Sequence, residues 1–367
     1  MSILLTMVCA SADGELGLLE DTRGKAWSVR GPIDPSELGF TLTHEHFLCD
    51  ATTYFELPEQ TSERTLALSP VTLENLAWVR FHPYLNKDNL RLDDENMMVE
   101  EATRFKDAGG RTIVDATSNG IGRNPEALKR ISMRTGLNII AGSGYYVSST
   151  HPRDMESKTV NDIKNEIVRD IQVGIENTGI RAGLIGEIGT TFPWGTNEEK
   201  SLQAAGRAQV ETGAPIEVHP GRNPKHPGMI LDVLEKEGAD LSHAAICHIE
   251  RTLGDLNQFK SVLDRSVYVE FDNFGQSWFA FPGHKLEWPF PSDSGRVFRI
   301  RELIETGYAD QILVSMDIDS KILLYRYGGQ GFDHILVNVL PLMQSLIGSE
   351  NVQKILVNNP RRFLTFK

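Results

Sequence analysis

The chain has 367 residues, 40% of them hydrophobic and 24% charged, a balance normal for a globular protein. No apolar run approaches the roughly 20 residues a membrane helix needs, so no segment is expected to cross a bilayer. The formal charge is −13, from 37 Lys and Arg against 50 Asp and Glu, which argues against a nucleic-acid partner and leaves a small molecule as the expected ligand.

In chain order, the opening MSILLTMVCASA has the apolar stretch and Ala-Ser-Ala end of a signal peptide. Its apolar part is short and no basic segment precedes it, so a structured N-terminal strand is the expectation, with residues 1–30 an extension packed on the rest of the chain. Cys9, Cys49 and Cys247 are too few and too scattered for a disulfide framework or a thiolate zinc site. A reducing, cytoplasmic compartment fits.

Eight short runs rich in Val, Ile and Thr come next, at residues 41–46, 112–117, 138–143, 182–188, 215–219, 244–249, 267–271 and 311–317. Segments of helical period follow most of them, at 124–135, 160–177, 197–212, 227–237, 253–263, 295–306 and 331–346, and 351–364 closes the chain. Three helical ends meet glycine, in "KDAGG", "RTGLN" and "EKEGA", as helix C-termini often do. This strand-to-helix order predicts one domain over residues 1–367. The fold class is an α/β, (β/α)8 TIM barrel with an N-terminal strand extension and long loops after strands one and seven.

Those two loops interrupt the rhythm. Residues 48–96 are polar and aromatic and read as helical only from about Asp93. Residues 273–295, "NFGQSWFAFPGHKLEWPFPSDSG", hold two Trp, four Phe and three Pro, a content suited to a lid over an active site or to an oligomer interface.

The chemistry gathers at strand ends. In "GFTLTHEHF" residues i and i+2 share a face, so His44 and His46 project together into the barrel while Glu45 faces the helices. Alone, such a pair is equally well a pair of core or solvated histidines. Yet strand four carries Glu187 in "LIGEIGTT", strand five ends at His219, strand six at His248 and strand eight at Asp317. C-terminal strand ends are where barrel enzymes keep their active sites, and this ligand set suits two divalent cations about 3.5–4 Å apart. His82, His151, His226, His243, His284 and His334 fall outside strand ends and read mostly as surface or loop residues. His243 would sit at the opposite face, and His151 could line the pocket. Arg251, Arg222, Lys225, Tyr145 and Tyr146 follow functional strands and are candidate substrate-binding residues, the arginines for an anionic group. Glu250 and Arg251 could equally form a surface ion pair. Cys247, next to His248, reads by alternation as a buried hydrophobe pointing away from the interior.

"GFTLTHEHF", "GLIGEIGTT", "EVHPGRNPKHP", "CHIERT", "MDIDSK", "YGGQGFDHIL" and "NNPRRFL" together resemble the phosphotriesterase family of the amidohydrolase superfamily, nearest to its phosphotriesterase-related branch. The resemblance covers the chain from about Val29 onward. It implies a binuclear zinc-type centre in which His44, His46 and Asp317 hold one metal and His219 and His248 the other, with zinc the first choice and manganese, cobalt or iron also suited. It implies a homodimer as well. Where phosphotriesterases and their lactonase relatives bridge the metals with a carbamylated lysine, this sequence offers Glu187, as the related branch does, which puts phosphotriester hydrolysis in doubt. The expected function is hydrolysis of an ester, lactone or amide of a small, anionic molecule by a metal-bridging hydroxide, with Asp317 as the catalytic proton carrier and phosphotriesterase activity minor. Two alternatives stand beside it: a metal-dependent deoxyribonuclease of the same superfamily, disfavoured by the charge, and a non-catalytic ligand-binding barrel, disfavoured by the intact ligand set.

Overall fold

The computed structural model describes residues 22–276 and 290–367. The opening apolar stretch, His284 and the middle of the second long loop lie outside the described residues. Eight strands lie side by side in chain order: β1 (Phe40–Glu45), β2 (Gly110–Asp115), β3 (Asn138–Ser143), β4 (Leu184–Gly189), β5 (Ile216–His219), β6 (Ala244–Ile246), β7 (Tyr268–Phe271) and β8 (Ile312–Val314). Neighbours pair in parallel. The ring closes between β8 and β1, where Asp317 N–H donates to the His44 carbonyl at 3.2 Å and His44 N–H to Ser315 Oγ at 3.0 Å. This is the predicted (β/α)8 barrel.

Helices α1 (Glu95–Asp107), α2 (Pro125–Thr135), α3 (Val160–Gln172), α4 (Thr196–Thr212), α5 (His226–Lys236), α6 (Leu256–Leu263), α7 (Asp293–Glu305) and α8 (Leu340–Gln353) cover the barrel. Five of these eight start at a side chain that accepts orphan backbone N–H groups. Asp94 caps α1, Thr159 and Asp162 form a reciprocal cap on α3, and Asp255 with Gln258 does so on α6. α3 buries Ile163, Ile167 and Ile171 at helical spacing against the sheet. Between β1 and α1, the predicted irregular loop contains two short helices, Thr61–Leu68 and Leu76–Phe81, whose residues alternate apolar and polar too irregularly to announce them.

A hairpin of Ala26–Ser28 and Gly31–Ile33 precedes the barrel and is tied to it by Val29 N–H donating to Ile139 O, and to the chain's end by Gly24 N–H donating to Phe366 O. Ala26 and Ile33 join Val114, Ile140, Leu184, Ala245, Tyr268, Leu313 and Phe363 in an apolar layer that floors the interior. Two positions after Tyr268, on the same face of β7, stands the buried Glu270, as strand alternation requires.

The functional ends are shorter than predicted. His46, His248 and Asp317 lie just past their strands, and His248 and Asp317 adopt left-handed backbone at φ 50°. Such conformations are uncommon outside glycine and gather at functional sites.

Candidate metal centre and its cavity

Six side chains meet where the barrel opens. His44 Nε2 lies 3.7 Å from both Glu187 Oε1 and Asp317 Oδ1, and His46 Nε2 lies 3.4 Å from the same two oxygens. A tetrahedral ion with bonds of about 2.0–2.2 Å spaces its ligands by roughly 3.3–3.6 Å, close to these separations. Glu187 Oε2 faces a second group: it is 2.9 Å from His219 Nδ1 and 3.4 Å from His248 Nε2, and those nitrogens are 2.9 Å apart. Glu187 thus presents one oxygen to each half of the cluster. Among the described residues, the ring nitrogens of His44 are buried without a hydrogen-bond partner. An orphaned imidazole walled in by carboxylates fits a cation better than it fits protein alone.

Backbone detail produces the convergence. A register shift between Ile185 and Ile188 accompanies Glu187, and Gly186 before it sits at φ 145°. A Cβ at Gly186 would fall 2.6 Å from the Glu217 carbonyl, so only glycine lets β4 approach β5 there. His248 N–H and Nδ1 both contact Asp272, each at 2.8 Å, and His46 Nδ1 is 2.9 Å from Thr117 Oγ1. Such contacts fix which nitrogen each ring turns inward.

Charge and burial pull in opposite directions here. Burial pushes Glu187 and Asp317 up, but the surrounding imidazoles outweigh it and hold both carboxyls below the usual range. Burial also depresses His44, yet Glu187 and Glu217 raise it to about 10. His219 goes the other way, down to about 3, through burial and then the Arg251 guanidinium. Arg222 is pushed down to about 10 by burial and by Arg251.

A cavity of about 340 Å³ opens onto the cluster; besides the ligand-type residues, it is lined by Tyr54, Tyr84, Tyr146, Arg222, Arg251 and Asp319. Arg251 is buried, with Nη2 3.0 Å from His219 Nε2, so the surface-pair alternative fails; Glu250 instead accepts from Arg296 at 3.0 Å. Tyr54 donates to Tyr146 at 3.0 Å, and Tyr146 Oη is 3.2 Å from His219 Nδ1.

Other predicted residues are elsewhere. Tyr145 lines a separate crevice, where it donates to Glu166 at 2.5 Å and accepts from Lys158 at 2.9 Å. Neighbours on an extended segment point apart, so Tyr145 and Tyr146 could not both face one cavity. Lys225 is exposed and outside the cavity lining. His151 is also outside it, with Nε2 2.7 Å from the Tyr146 carbonyl. His226, His243 and His334 are buried rather than superficial. Glu45 does not face the helices. It is buried against β8, accepting from Ser315 Oγ at 2.7 Å, Met316 N at 2.8 Å and Ile318 N at 3.0 Å. A shift in β1 pairing between Leu42 and Glu45 breaks the alternation that predicted otherwise. Cys247 points inward, its sulfur grouped with His44, Glu270 and Asp272; it shares the face of Ala245, and it is His248 that the left-handed turn takes out of the alternation.

Sequence reasoning missed Glu217, Glu270 and Asp272, all buried inside the barrel. The signal for Glu217 was its place two residues before His219, on one strand face. Tyr54 and Tyr84 come from the long first loop and carried no signal.

Residues 24–364 match the phosphotriesterase family. Phosphotriesterase-related protein of Nematostella vectensis is 39% identical over 350 residues, covering 94% of this chain and 100% of its own length. N-acetyltaurine hydrolase of Danio rerio is 40% identical over 354 residues, 95% of this chain and 100% of that one. The crystal structure of a resiniferatoxin-binding protein from Rhodobacter sphaeroides matches with a TM-score of 0.90 and 38% identity, over 94% of this chain and 96% of that one.

Proposed function

The chain belongs to the phosphotriesterase family, and from that premise we propose that it is a binuclear metal-dependent amidohydrolase that cleaves the acyl–nitrogen bond of small N-acylated sulfonates or carboxylates. One observation carries the reading: a two-sided carboxylate, Glu187, sits among four imidazoles and Asp317 at the floor of a cavity whose wall holds two guanidiniums, Arg222 and Arg251. The name of the Danio rerio relative, an N-acetyltaurine hydrolase, supports both the bond type and the sulfonate.

His44, His46 and Asp317 would hold one divalent cation, His219 and His248 the other, and Glu187 both. Bound there, zinc or a similar ion supplies Lewis acidity and brings water's ionisation near neutral pH. The remaining work falls to the chain. Arg222 and Arg251 bind the anionic end and so fix the acyl carbonyl over the cluster; bidentate guanidinium contacts suit sulfonate and carboxylate oxygens. Because Tyr54 donates to Tyr146, the Tyr146 proton is left for an acceptor in the cavity, such as the carbonyl oxygen. Asp317 is the proton carrier. Asn273 Nδ2 lies 3.4 Å from Asp317 Oδ2 and steadies it, while neighbouring imidazoles keep the carboxyl ionised. It takes the proton from the attacking water and gives it to the leaving nitrogen as the carbon–nitrogen bond breaks, so the amine departs neutral and the acid is released.

Uncharged phosphotriesters offer no anion to two arginines, which makes them minor substrates in this reading. The test is elemental analysis paired with a hydrolysis panel of N-acetyltaurine, N-acyl amino acids, a lactone and a phosphotriester. Two equivalents of metal with preference for the anionic amides is expected. Less than one ion per chain, or preference for the uncharged phosphotriester, defeats the proposal.

A further inference from the structure

Three of the four histidines in the cluster turn their outer ring nitrogen toward an acceptor. His46 Nδ1 faces Thr117 Oγ1 at 2.9 Å, His248 Nδ1 faces Asp272 Oδ1 at 2.8 Å, and His44 Nδ1 faces Glu217 Oε2 at 3.4 Å. In His46 and His248 the ring proton has its acceptor outside, His44 Nδ1 is nearest a carboxylate, and in all three Nε2 keeps its lone pair for the cluster. His219 is built the other way round. Its inner nitrogen is Nδ1, beside Glu187 Oε2 and His248 Nε2, and its outer Nε2 faces Arg251 Nη2 at 3.0 Å.

A guanidinium has five N–H donors, no acceptor, and keeps its protons at any working pH. A neutral imidazole that gives Nδ1 to a cation carries its single proton on Nε2. His219 Nε2–H and Arg251 Nη2–H would then point at each other, two donors with no protein acceptor between them among the described residues, at the wall of the cavity where His219 is only partly exposed. The other three histidines meet no such conflict.

We propose that the missing acceptor is the anionic oxygen of the substrate, which accepts from both His219 Nε2 and Arg251 Nη2 from the cavity side, with Arg222 as the second guanidinium of the same subsite. The assignment rests on the amidohydrolase reading for the place of the scissile bond. It adds that the anion sits directly behind a ligand of the centre, one imidazole ring away from it, so the substrates are compact acylamino sulfonates and carboxylates. It also makes cation binding and anion binding mutually reinforcing: each supplies what the other needs at His219, and linkage makes the effect equal in both directions.

The test uses zinc titrated against a competing chelator, in the wild type and in Arg251→Gln, with and without ethanesulfonate. In the wild type the sulfonate should tighten zinc binding by about 10-fold, within the usual span of site-to-site coupling. In Arg251→Gln the side-chain oxygen can itself accept from Nε2–H, so zinc should bind without help and the sulfonate should add nothing. Nitrogen-15 spectra of the wild-type histidines give a measurement that needs no variant: in the zinc-loaded protein the His219 proton should reside on Nε2 and its resonance should move when ethanesulfonate is added. The inference is overturned if the sulfonate leaves wild-type zinc affinity unchanged, if it tightens zinc equally in Arg251→Gln, or if the His219 Nε2 resonance ignores the sulfonate. None of these readouts requires turnover. Intact linkage without hydrolysis would remove the proposed function alone, and hydrolysis without linkage would remove this inference alone.

Discussion

Replacing Asp272 by asparagine separates support of the metal centre from support of the fold. Asp272 is completely buried and accepts two hydrogen bonds from one residue, from His248 N and from His248 Nδ1, each at 2.8 Å. The second fixes the tautomer that leaves Nε2 for the cluster. Hydrogen bonds to a charged group contribute about 1.5–3 kcal/mol, and loss of a carboxylate behind a liganding histidine typically lowers metal affinity 10–100-fold, or about 1.4–2.7 kcal/mol. The two routes agree in size. Against the fold the balance differs. Burial and the charge of Asp272 together push Glu250 up to about 7 and, with Glu217, raise Glu270 well above its usual range. Removing that charge relieves two crowded carboxyls but withdraws support from protonated His44 and His248, so the two effects oppose. Asp272→Asn should therefore change the melting temperature of metal-stripped protein little while zinc affinity, measured by chelator competition, drops about 10–100-fold. Unchanged affinity, or a stripped-protein melting temperature that falls along with affinity, refutes the argument.

Glu187→Gln leaves one good ligand oxygen where the site needs two, so metal content by elemental analysis should fall from two ions per chain toward one, with activity lost. Arg222→Met should raise KM for anionic amides about 10–100-fold, the loss of one charged hydrogen bond, and leave a neutral lactone's KM unchanged. Burial holds His243 and His226 down to about 4, against roughly 6.5 when unfolded. Both are neutral in the folded chain, so the stability they permit is whole above pH of about 6.5 and is lost as pH falls toward 4. Melting temperatures across that range should decline steeply in the wild type and less steeply in His243→Leu.

The barrel was legible because its elements are locally consistent: apolar runs of strand length followed mostly by segments of helical period, several of them ending at glycine. The six-residue constellation was legible too, since each member stands near the C-terminal end of a strand. What alternation misplaced shares one cause. Glu45, Cys247 and the exact strand ends were all read from a period of two, and the period fails where β1 shifts register between Leu42 and Glu45 and where His248 and Asp317 turn left-handed. Glu217 and Glu270 went unnoticed for a different reason. An acidic residue inside an apolar run ordinarily marks the solvated face of a strand, but a barrel with a cationic centre inverts that rule, since carboxylates beneath it can face inward against imidazoles. Loop residues such as Tyr54 and Tyr84 reach the cavity through tertiary packing, which no local pattern records.

The middle residue of the His-Glu-His motif shows how the chemistry and the closure of the barrel depend on each other. Glu45 accepts from Ser315 Oγ, Met316 N and Ile318 N, so its carboxylate brackets Asp317 on both sides along the chain. Asp317 N–H donates to His44 O, and Gln276 Nε2 donates to the carbonyls of Met316 and Asp317 at 2.9 and 3.0 Å. The left-handed backbone of Asp317 is thereby held by bonds from β1 on one side and from the segment after β7 on the other. A side chain at φ 50° persists only when its surroundings over-determine it, and here they are the same bonds that join the last strand to the first. His44, Glu45 and His46 form one device: the histidines face the cluster, and the glutamate sets the position of the aspartate that completes it. Alternation would assign Glu45 to the outside of the barrel, where it could do neither.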